Sequence, residues 1–373
     1  MILPALIKKE FKEILRDPVT LGTAILLPLV MLFLFGYAIS LDVKDISMAV
    51  YDQDRSQDSQ KLIEAFTASG YFIPKYHLDS GQEVNEALDR GKAAIAIVIP
   101  PDFSKSINSY RKAEVQIILD GSFSATAMIV SNYATSIVNS YSMDLMEEYL
   151  AKKGVHLEHP AGLIPRVWYN PPMKSVNYIV PGLFAVLLMA FPPMLTALAI
   201  VREKERGTIE QVYVSPISPP VFILGKIIPY GITAFGEMLL ILAVGTLWFR
   251  IPFKGSILLL VLTSIIYVLT TVGIGLFVST LTKTQLGAML LSLIVTLMPS
   301  FLFSGFLFPI ATMPYMMQLY TYFFPARYFN DISRDLFLKG VGLEYLWFNI
   351  LLLVVYASVL FVLASLRFKK KVA

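Results

Sequence analysis

Five charged residues in a row, Arg202-Glu203-Lys204-Glu205-Arg206, follow directly on a long uncharged apolar run, and Gly207-Thr208-Ile209-Glu210-Gln211 comes straight after them. On a helix Arg202 and Arg206 stand one turn apart, as do Arg206 and Glu210. Gly207 is a helix stop. Thr208, with Gln211 three residues on, has the spacing of a capping box that opens a new short helix. Pro216 ends that helix, and Ser218-Pro219 supplies a cap followed by proline at a first helical position. The pattern describes a short, stiff ionic element fixed to the end of an apolar helix. Two readings stay open on these residues alone: a contact that passes force to a partner, or a solvated loop that marks one side of a membrane.

Glu237 is the only charge between Ile227 and Phe249. A carboxyl in such a run is costly to bury, so it is a candidate for binding a cation, carrying a proton or bonding to a neighbouring helix. Other chemistry is thinly represented. The chain has no cysteine, which excludes disulfides and thiolate ligands. The three histidines, His77, His156 and His159, do not make a metal ligand set, and no metal is expected. Asp52, Asp54 and Asp58 lack the glycine and terminal glutamate of a calcium loop, so a solvated turn is expected there. Gly225-Lys226 and Gly91-Lys92 lack both the upstream glycine and the following Ser/Thr of a phosphate-cradling loop. No nucleophile, base and orienting group occur together, so an enzyme is not expected.

The elements that must position these residues are set by hydropathy. Of the 373 residues 56% are apolar and 16% charged, and mean hydropathy is +0.65. Long uncharged runs alternate with ordinary charged sequence, the signature of a bilayer protein. The net charge of +4 gives no reason to expect nucleic acid. Spans are expected at 18–41, 175–201, 227–249, 255–282 and 345–366, with 284–326 too long for one helix and barely long enough for two. Lys8, Lys9, Lys12 and Arg16 precede the first span, and Arg367, Lys369, Lys370 and Lys371 form a basic tail at 367–373 after the last. Both ends therefore read as cytoplasmic, the number of spans is even, and 284–326 supplies one span plus a re-entrant or interfacial hairpin near Ser304 to Pro325. Six spans result. Residues 1–17 place Leu3, Leu6, Ile7, Phe11, Ile14 and Leu15 against Lys8, Lys9, Lys12 and Arg16, as an interfacial helix does.

Residues 42–174 fall outside the cell in this scheme and read as an α/β domain. Strand-length apolar runs occur at Ile46–Tyr51, Ala93–Ile99 and Val115–Leu119, with helices over 56–69, 80–90 and 122–153. Ser80 and Glu83 have capping-box spacing, and Gly91 is the stop of that helix. The fold class is an α-helical integral membrane protein with six transmembrane helices and an inserted α/β extracytoplasmic domain between helices 1 and 2.

The stretch Val201 to Pro216 resembles the signature of ABC-2 type transporter permeases, in their bacterial drug-exporter-like branch with a large periplasmic domain. Lys9-Glu10-Phe11 through Arg16-Asp17-Pro18, Asp52-Gln53-Asp54-Arg55-Ser56, Ile99-Pro100-Pro101-Asp102-Phe103, Pro325-Ala326-Arg327-Tyr328-Phe329 and Phe337-Leu338-Lys339-Gly340 are similar to other segments of that family. The order of the segments and the six-span layout carry the resemblance, more than any one motif.

The resemblance implies a permease subunit in the bacterial inner membrane that exports an amphiphilic, drug-like or lipid-like substrate. It implies a second copy or a paralogue as partner, a separate cytoplasmic ABC ATPase that holds ATP and magnesium, and a periplasmic adaptor as a further partner. Residues 202–226 become the coupling segment, with Arg202, Glu203, Lys204, Glu205, Arg206, Gly207, Thr208, Glu210 and Gln211 facing the ATPase. Two competitors of other classes are a mechanical or signalling subunit that acts on envelope partners, and a stand-alone ion-coupled transporter that uses Glu237. Transport in vesicles with and without an ATPase separates all three.

Overall fold

A computed structural model describes residues 2–39, 45–109, 111–122, 124–153, 168–171, 174–208 and 217–367. It divides into two compact units, one formed by Met1–Ser40 with Val167–Ala373 and the other by Leu41–Arg166.

The first unit contains six helices long and apolar enough to cross a membrane: Pro18–Ala38, Ser175–Glu205, Pro220–Trp248, Ile257–Leu281, Gln285–Phe303 and Leu343–Ala364. They are preceded by α1 (Ile2–Arg16), whose buried residues are Glu10 and Ile14. The first membrane helix, α2 (Pro18–Ala38), starts at a well-made cap. The Asp17 carboxylate accepts the Val19 amide at 3.1 Å and the Thr20 hydroxyl at 2.7 Å, and Pro18 takes the position where an amide would be unpaired anyway. The chain passes through a π-helical turn at Gly22–Leu26 before regular helix resumes.

The second unit is a four-stranded sheet with helices on both faces. Its elements are β1 (Ile46–Asp52), α3 (Gln57–Ala68), β2 (Phe72–His77), α4 (Gly81–Asp89), β3 (Ile95–Ile99), α5 (Phe103–Asn108), β4 (Gln116–Leu119) and α6 (Ser124–Lys152). The strand order is β2-β1-β3-β4, parallel except for β4 against β3. Alternation sorts side chains onto two faces. Met48, Val50, Ile95 and Ile97 pack with Phe66 and Phe72, whereas Ala49 and Ala96 pack with Val84 and Ala87. Sequence reading missed β2 because Pro74 interrupts it; proline is tolerated because β2 is an edge strand. Ser80 caps α4 by accepting the Glu83 amide, but the Glu83 carboxylate accepts from Asp79, one residue before the cap. The acidic turn is held by its own carboxylates: Asp52 accepts from Arg55 and Ser59, Asp54 from Ser104, and Asp58 from Asn108.

The pillar of the first unit is α7 (Ser175–Glu205), 31 residues long and buried along almost its whole length. Around it stand α8 (Pro219–Ala243, continued by a π-helical turn at Val244–Trp248), α9 (Ile257–Leu281) and α10 (Gln285–Phe303). The expected third span began at Ile227; α8 starts two turns earlier because Ser218-Pro219-Pro220 is a helix start. At Gly275 α9 crosses α7 so closely that a Cβ would lie 2.4 Å from the Pro193 carbonyl oxygen. Tyr267 on α9 donates to the Ala185 carbonyl at 2.7 Å and stacks on Phe329 with centroids 4.1 Å apart.

Segment 284–326 supplies one candidate span, α10, followed by non-spanning chain that includes α11 (Tyr315–Thr321), and then α12 (Pro325–Arg334), a π-helical turn at Asp335–Lys339 and α13 (Leu343–Arg367). Tyr315, Tyr320 and Phe323 are exposed, as an aromatic interfacial layer requires. Arg334 pins this region. Its guanidinium donates to the Gly305 and Phe306 carbonyls at 2.8 and 3.0 Å and lies 3.6 Å over the Tyr178 ring of α7.

Candidate functional site

One end of the first unit brings together the start of α2, the end of α7, the start of α8, the end of α9 and the start of α10. The charged run Arg202–Glu205 sits at their meeting point, and each of its four side chains reaches a different place. Arg202 donates to Asp17 at 2.6 Å and to Gln285 at 3.3 Å. Glu203 accepts from Lys9 of α1 at 2.5 Å and from Lys226 of α8 at 3.1 Å. Lys204 donates to the Ser279 carbonyl and, at 3.5 Å, to the Thr282 carbonyl, covering the C-terminal end of α9. Glu205 accepts from the Gln285 amide at 2.9 Å and from the Gln285 side chain, at the N-terminal end of α10.

The deepest pair is one the sequence did not single out. Lys226 and Glu10 are 2.7 Å apart with side chains only 2% and 1% exposed. Lys9 completes the group, 3.3 Å from Glu10 and 3.4 Å from Glu13. Glu10, Glu13 and Glu203 place carboxylate oxygens within 4.8 Å of one another, a spacing that suits a cation. Here two ammonium groups, Lys9 and Lys226, supply that positive charge, and the set forms an ionic lock. Burial pulls the Lys9 ammonium down, yet the hydrogen bond and charge of Glu203, with Glu10 and Glu13, hold it above the usual lysine range. Asp17 is held down to about 2, chiefly by the Thr20 hydroxyl; burial opposes this and Arg202 reinforces it.

Both charges could have been found from the helical pattern. Glu10 stands on the stripe of Leu3, Leu6 and Ile14, and Lys226 on the stripe of Phe222, Ile223 and Tyr230. An acid on one apolar stripe and a base on another ask for each other, because neither can be buried alone. Sequence reading placed α1 flat on the membrane; the structure gives its buried side an ionic partner on α7 and α8.

The remaining coupling candidates lie at the rim. Gly207 has φ +71°, the left-handed conformation of a helix end. Thr208 donates its hydroxyl to the Glu203 carbonyl at 3.3 Å, while Arg206 is exposed. Glu210 and Gln211 lie outside the described residues. A cleft of about 1030 Å³ opens beside the lock, with Lys9, Arg16, Asp17, Arg202, Arg206 and Thr208 among its walls. Glu237 is not part of this group. It sits about three turns further along α8 than Lys226. It is 4% exposed, and neither carboxyl oxygen has a partner among the described residues.

A family model described as "ABC-2 family transporter protein" matches residues 18–366. The chain belongs to this family. Similar curated proteins span it from end to end. "Probable multidrug ABC transporter permease YbhR" of Escherichia coli (strain K12) is 34% identical over 98% of this chain and 98% of its own length. "Probable multidrug ABC transporter permease YbhS" of the same organism is 33% identical over 98% of this chain and 96% of its own. "Inner membrane transport permease YhhJ" of that organism is 28% identical over 87% of this chain and 85% of its own. This ABC-2 chain is thus a membrane permease subunit of an ABC transporter. Its lock joins α7 and α8 of the permease bundle to α1.

Proposed function

We propose that this permease is the membrane half of an ATP-driven exporter in a bacterial inner membrane, carrying amphiphilic, drug-like or lipid-like molecules outward. ATP and magnesium belong to a separate cytoplasmic ATPase, and a second copy or a paralogue completes the pathway. Both termini face the cytoplasm, and residues 42–174 form the extracytoplasmic domain, the surface for a periplasmic adaptor.

The observation that carries this reading is the lock of Glu10, Lys226, Glu203 and Lys9. A loop that only marked the side of a membrane would be solvated; Glu203 and Lys226 are 8% and 2% exposed. An ATPase that pushes on Arg206 pushes on Glu203, about one turn of helix away. Glu203 is bonded to α1 and α8, Lys204 to α9, and Arg202 and Glu205 to α10. Displacement of the coupling segment therefore reaches four candidate spans together. Glu237, in the interior of α8, is the candidate contact along the pathway for a cationic group or a proton.

The test uses inverted vesicles that contain the permease with its ATPase and a fluorescent cationic dye. ATP-dependent accumulation is expected for the native chain and its loss for Lys226→Met, with ATP hydrolysis continuing. Equal accumulation in Lys226→Met removes the coupling role of the lock. Accumulation without any ATPase turns the reading to a gradient-driven transporter.

A further inference from the structure

The cleft beside the lock holds positive charge that the lock does not use. Three carboxylates line it, Glu13, Asp17 and Glu203, and each is already committed. Glu13 faces Lys9 at 3.4 Å, Asp17 faces Arg202 at 2.6 Å, and Glu203 faces Lys9 and Lys226 at 2.5 and 3.1 Å. Three further cations, Lys12, Arg16 and Arg206, line the same cleft and are exposed. Among the described residues none of the three has an ion pair or a side-chain hydrogen bond.

The wall between these cations is aliphatic. Leu6, Ile14, Val19, Ala199 and Ile217 contribute to it. At the elbow from α1 to α2, Leu15 is 66% exposed beside Arg16, and Val19 is 70% exposed on the first turn of the first candidate span. Unpaired cations next to exposed aliphatic side chains, at the level where a membrane helix begins, match an amphiphile with an anionic head. A free phosphate would use the cations and leave the apolar wall without a role. A docked acidic protein surface would do the same for Leu15 and Val19.

We propose that this cleft binds an anionic phospholipid. Lys12, Arg16 and Arg206 hold the headgroup phosphate, and the acyl chains run along the Leu15 and Val19 side of the elbow. The lipid neutralises charge the protein leaves unpaired and holds α1 at the membrane surface, where the lock needs it. The three headgroup cations are not residues of the lock; Lys12 and Arg16 lie outside the coupling segment, and Arg206 belongs to it.

The experiment uses the full-length permease in uncharged detergent, titrated with dihexanoyl phosphatidylglycerol or dihexanoyl phosphatidylcholine. Native mass spectrometry counts the bound lipid. Phosphatidylglycerol is expected to bind in preference to phosphatidylcholine. Each neutralised cation is expected to weaken it about fivefold, so Lys12→Gln/Arg16→Gln binds about 25-fold more weakly and Arg206→Gln about fivefold. Inorganic phosphate should not compete. The unfolding midpoint without lipid should match the native chain's, since neither Lys12 nor Arg16 has a partner to lose among the described residues; should the double variant fail to fold, the single variants carry the same test.

Equal binding by the double variant, or equal binding of the two lipids, overturns the proposal. Displacement by inorganic phosphate makes the cleft a phosphate site instead. Unchanged lipid binding with loss of the ATPase from the purified complex makes it a protein-docking surface. Failure of the transport assay with lipid binding intact leaves this site standing and removes only the coupling reading.

Discussion

The Lys226 ammonium lies 2.7 Å from the Glu10 carboxylate, across 216 residues of sequence and in almost complete exclusion of water. Two buried charges cost several kcal/mol each in desolvation, and their attraction returns this only when both are present with good geometry. Such a pair adds little net stability and much specificity. It permits one position of α1 against α8, and through Glu203 one position of α7 against both.

Removal of one partner should therefore cost far more than removal of both. Glu10→Gln or Lys226→Met alone should destabilise the permease by about 3–5 kcal/mol, while Glu10→Met/Lys226→Met recovers most of that loss. Thermal unfolding of the purified chains in detergent measures this. Additive losses in the double variant would mean that the two side chains act separately.

The acid side of the stability profile should carry Asp17. Its folded-state value near 2 lies below the ordinary carboxylate value of 3.8, so the stability it contributes is complete above about pH 4 and is lost as pH falls from there toward 2. Asp17→Asn should flatten that limb of the profile and leave the neutral region with only a modest loss, since Asp17 is partly exposed and screened by solvent. An acid limb unchanged in Asp17→Asn would show that Thr20 and Arg202 do not favour its charged form.

The six spans and the α/β character of the second unit were legible in the sequence because they rest on period and run length. The charged run at 202–206 was legible as a candidate site because five charges in a row follow directly on an apolar helix. What the sequence left hidden was pairing at a distance. Glu10 and Lys226 each looked like one more polar residue near a membrane surface, and only their places on apolar stripes marked them. Nothing local to Arg334 reveals that its partners are carbonyls at Gly305 and Phe306 and the Tyr178 ring. β2 was hidden by Pro74, since the edge position that excuses a proline is a property of the sheet.

Asp331 on α12 should give the opposite pH behaviour to Asp17. Burial, with the nearby Asp335 charge, lifts it to about 6 against the cations Arg327, Arg334 and Lys339. Its neutral form is favoured on folding, so stability is highest below about pH 4 and declines as pH rises through 6. Asp331→Asn should remove the decline and raise the unfolding midpoint at pH 7 to 8. An unchanged midpoint across that range would mean that the charged form is well solvated.

The crossing of α9 over α7 should be intolerant of a single methyl group. A Cβ at Gly275 would lie 2.4 Å from the Pro193 carbonyl oxygen and 2.8 Å from the Thr196 Cβ, against backbone and a buried side chain that cannot yield. Gly275→Ala should destabilise by about 1–3 kcal/mol through overpacking. Gly236→Ala, where the added Cβ meets nothing within 4 Å, is the matched control and should be neutral or stabilising.

Glu237 allows structure and function to be separated. Among the described residues its two carboxyl oxygens are buried without a partner, so it contributes no bond there whose loss could unfold the chain. A buried polar group in that condition costs about 1–3 kcal/mol, and Glu237→Leu should raise the unfolding midpoint accordingly. Retention of a carboxyl at such a cost points to use in transport. In the vesicle assay Glu237→Gln should keep expression and ATP hydrolysis, while export of the cationic dye falls and loses its dependence on pH. If Glu237→Leu destabilises the permease and Glu237→Gln exports at the native rate at every pH, the carboxyl is a bonding group between helices, and the pathway assignment fails with it.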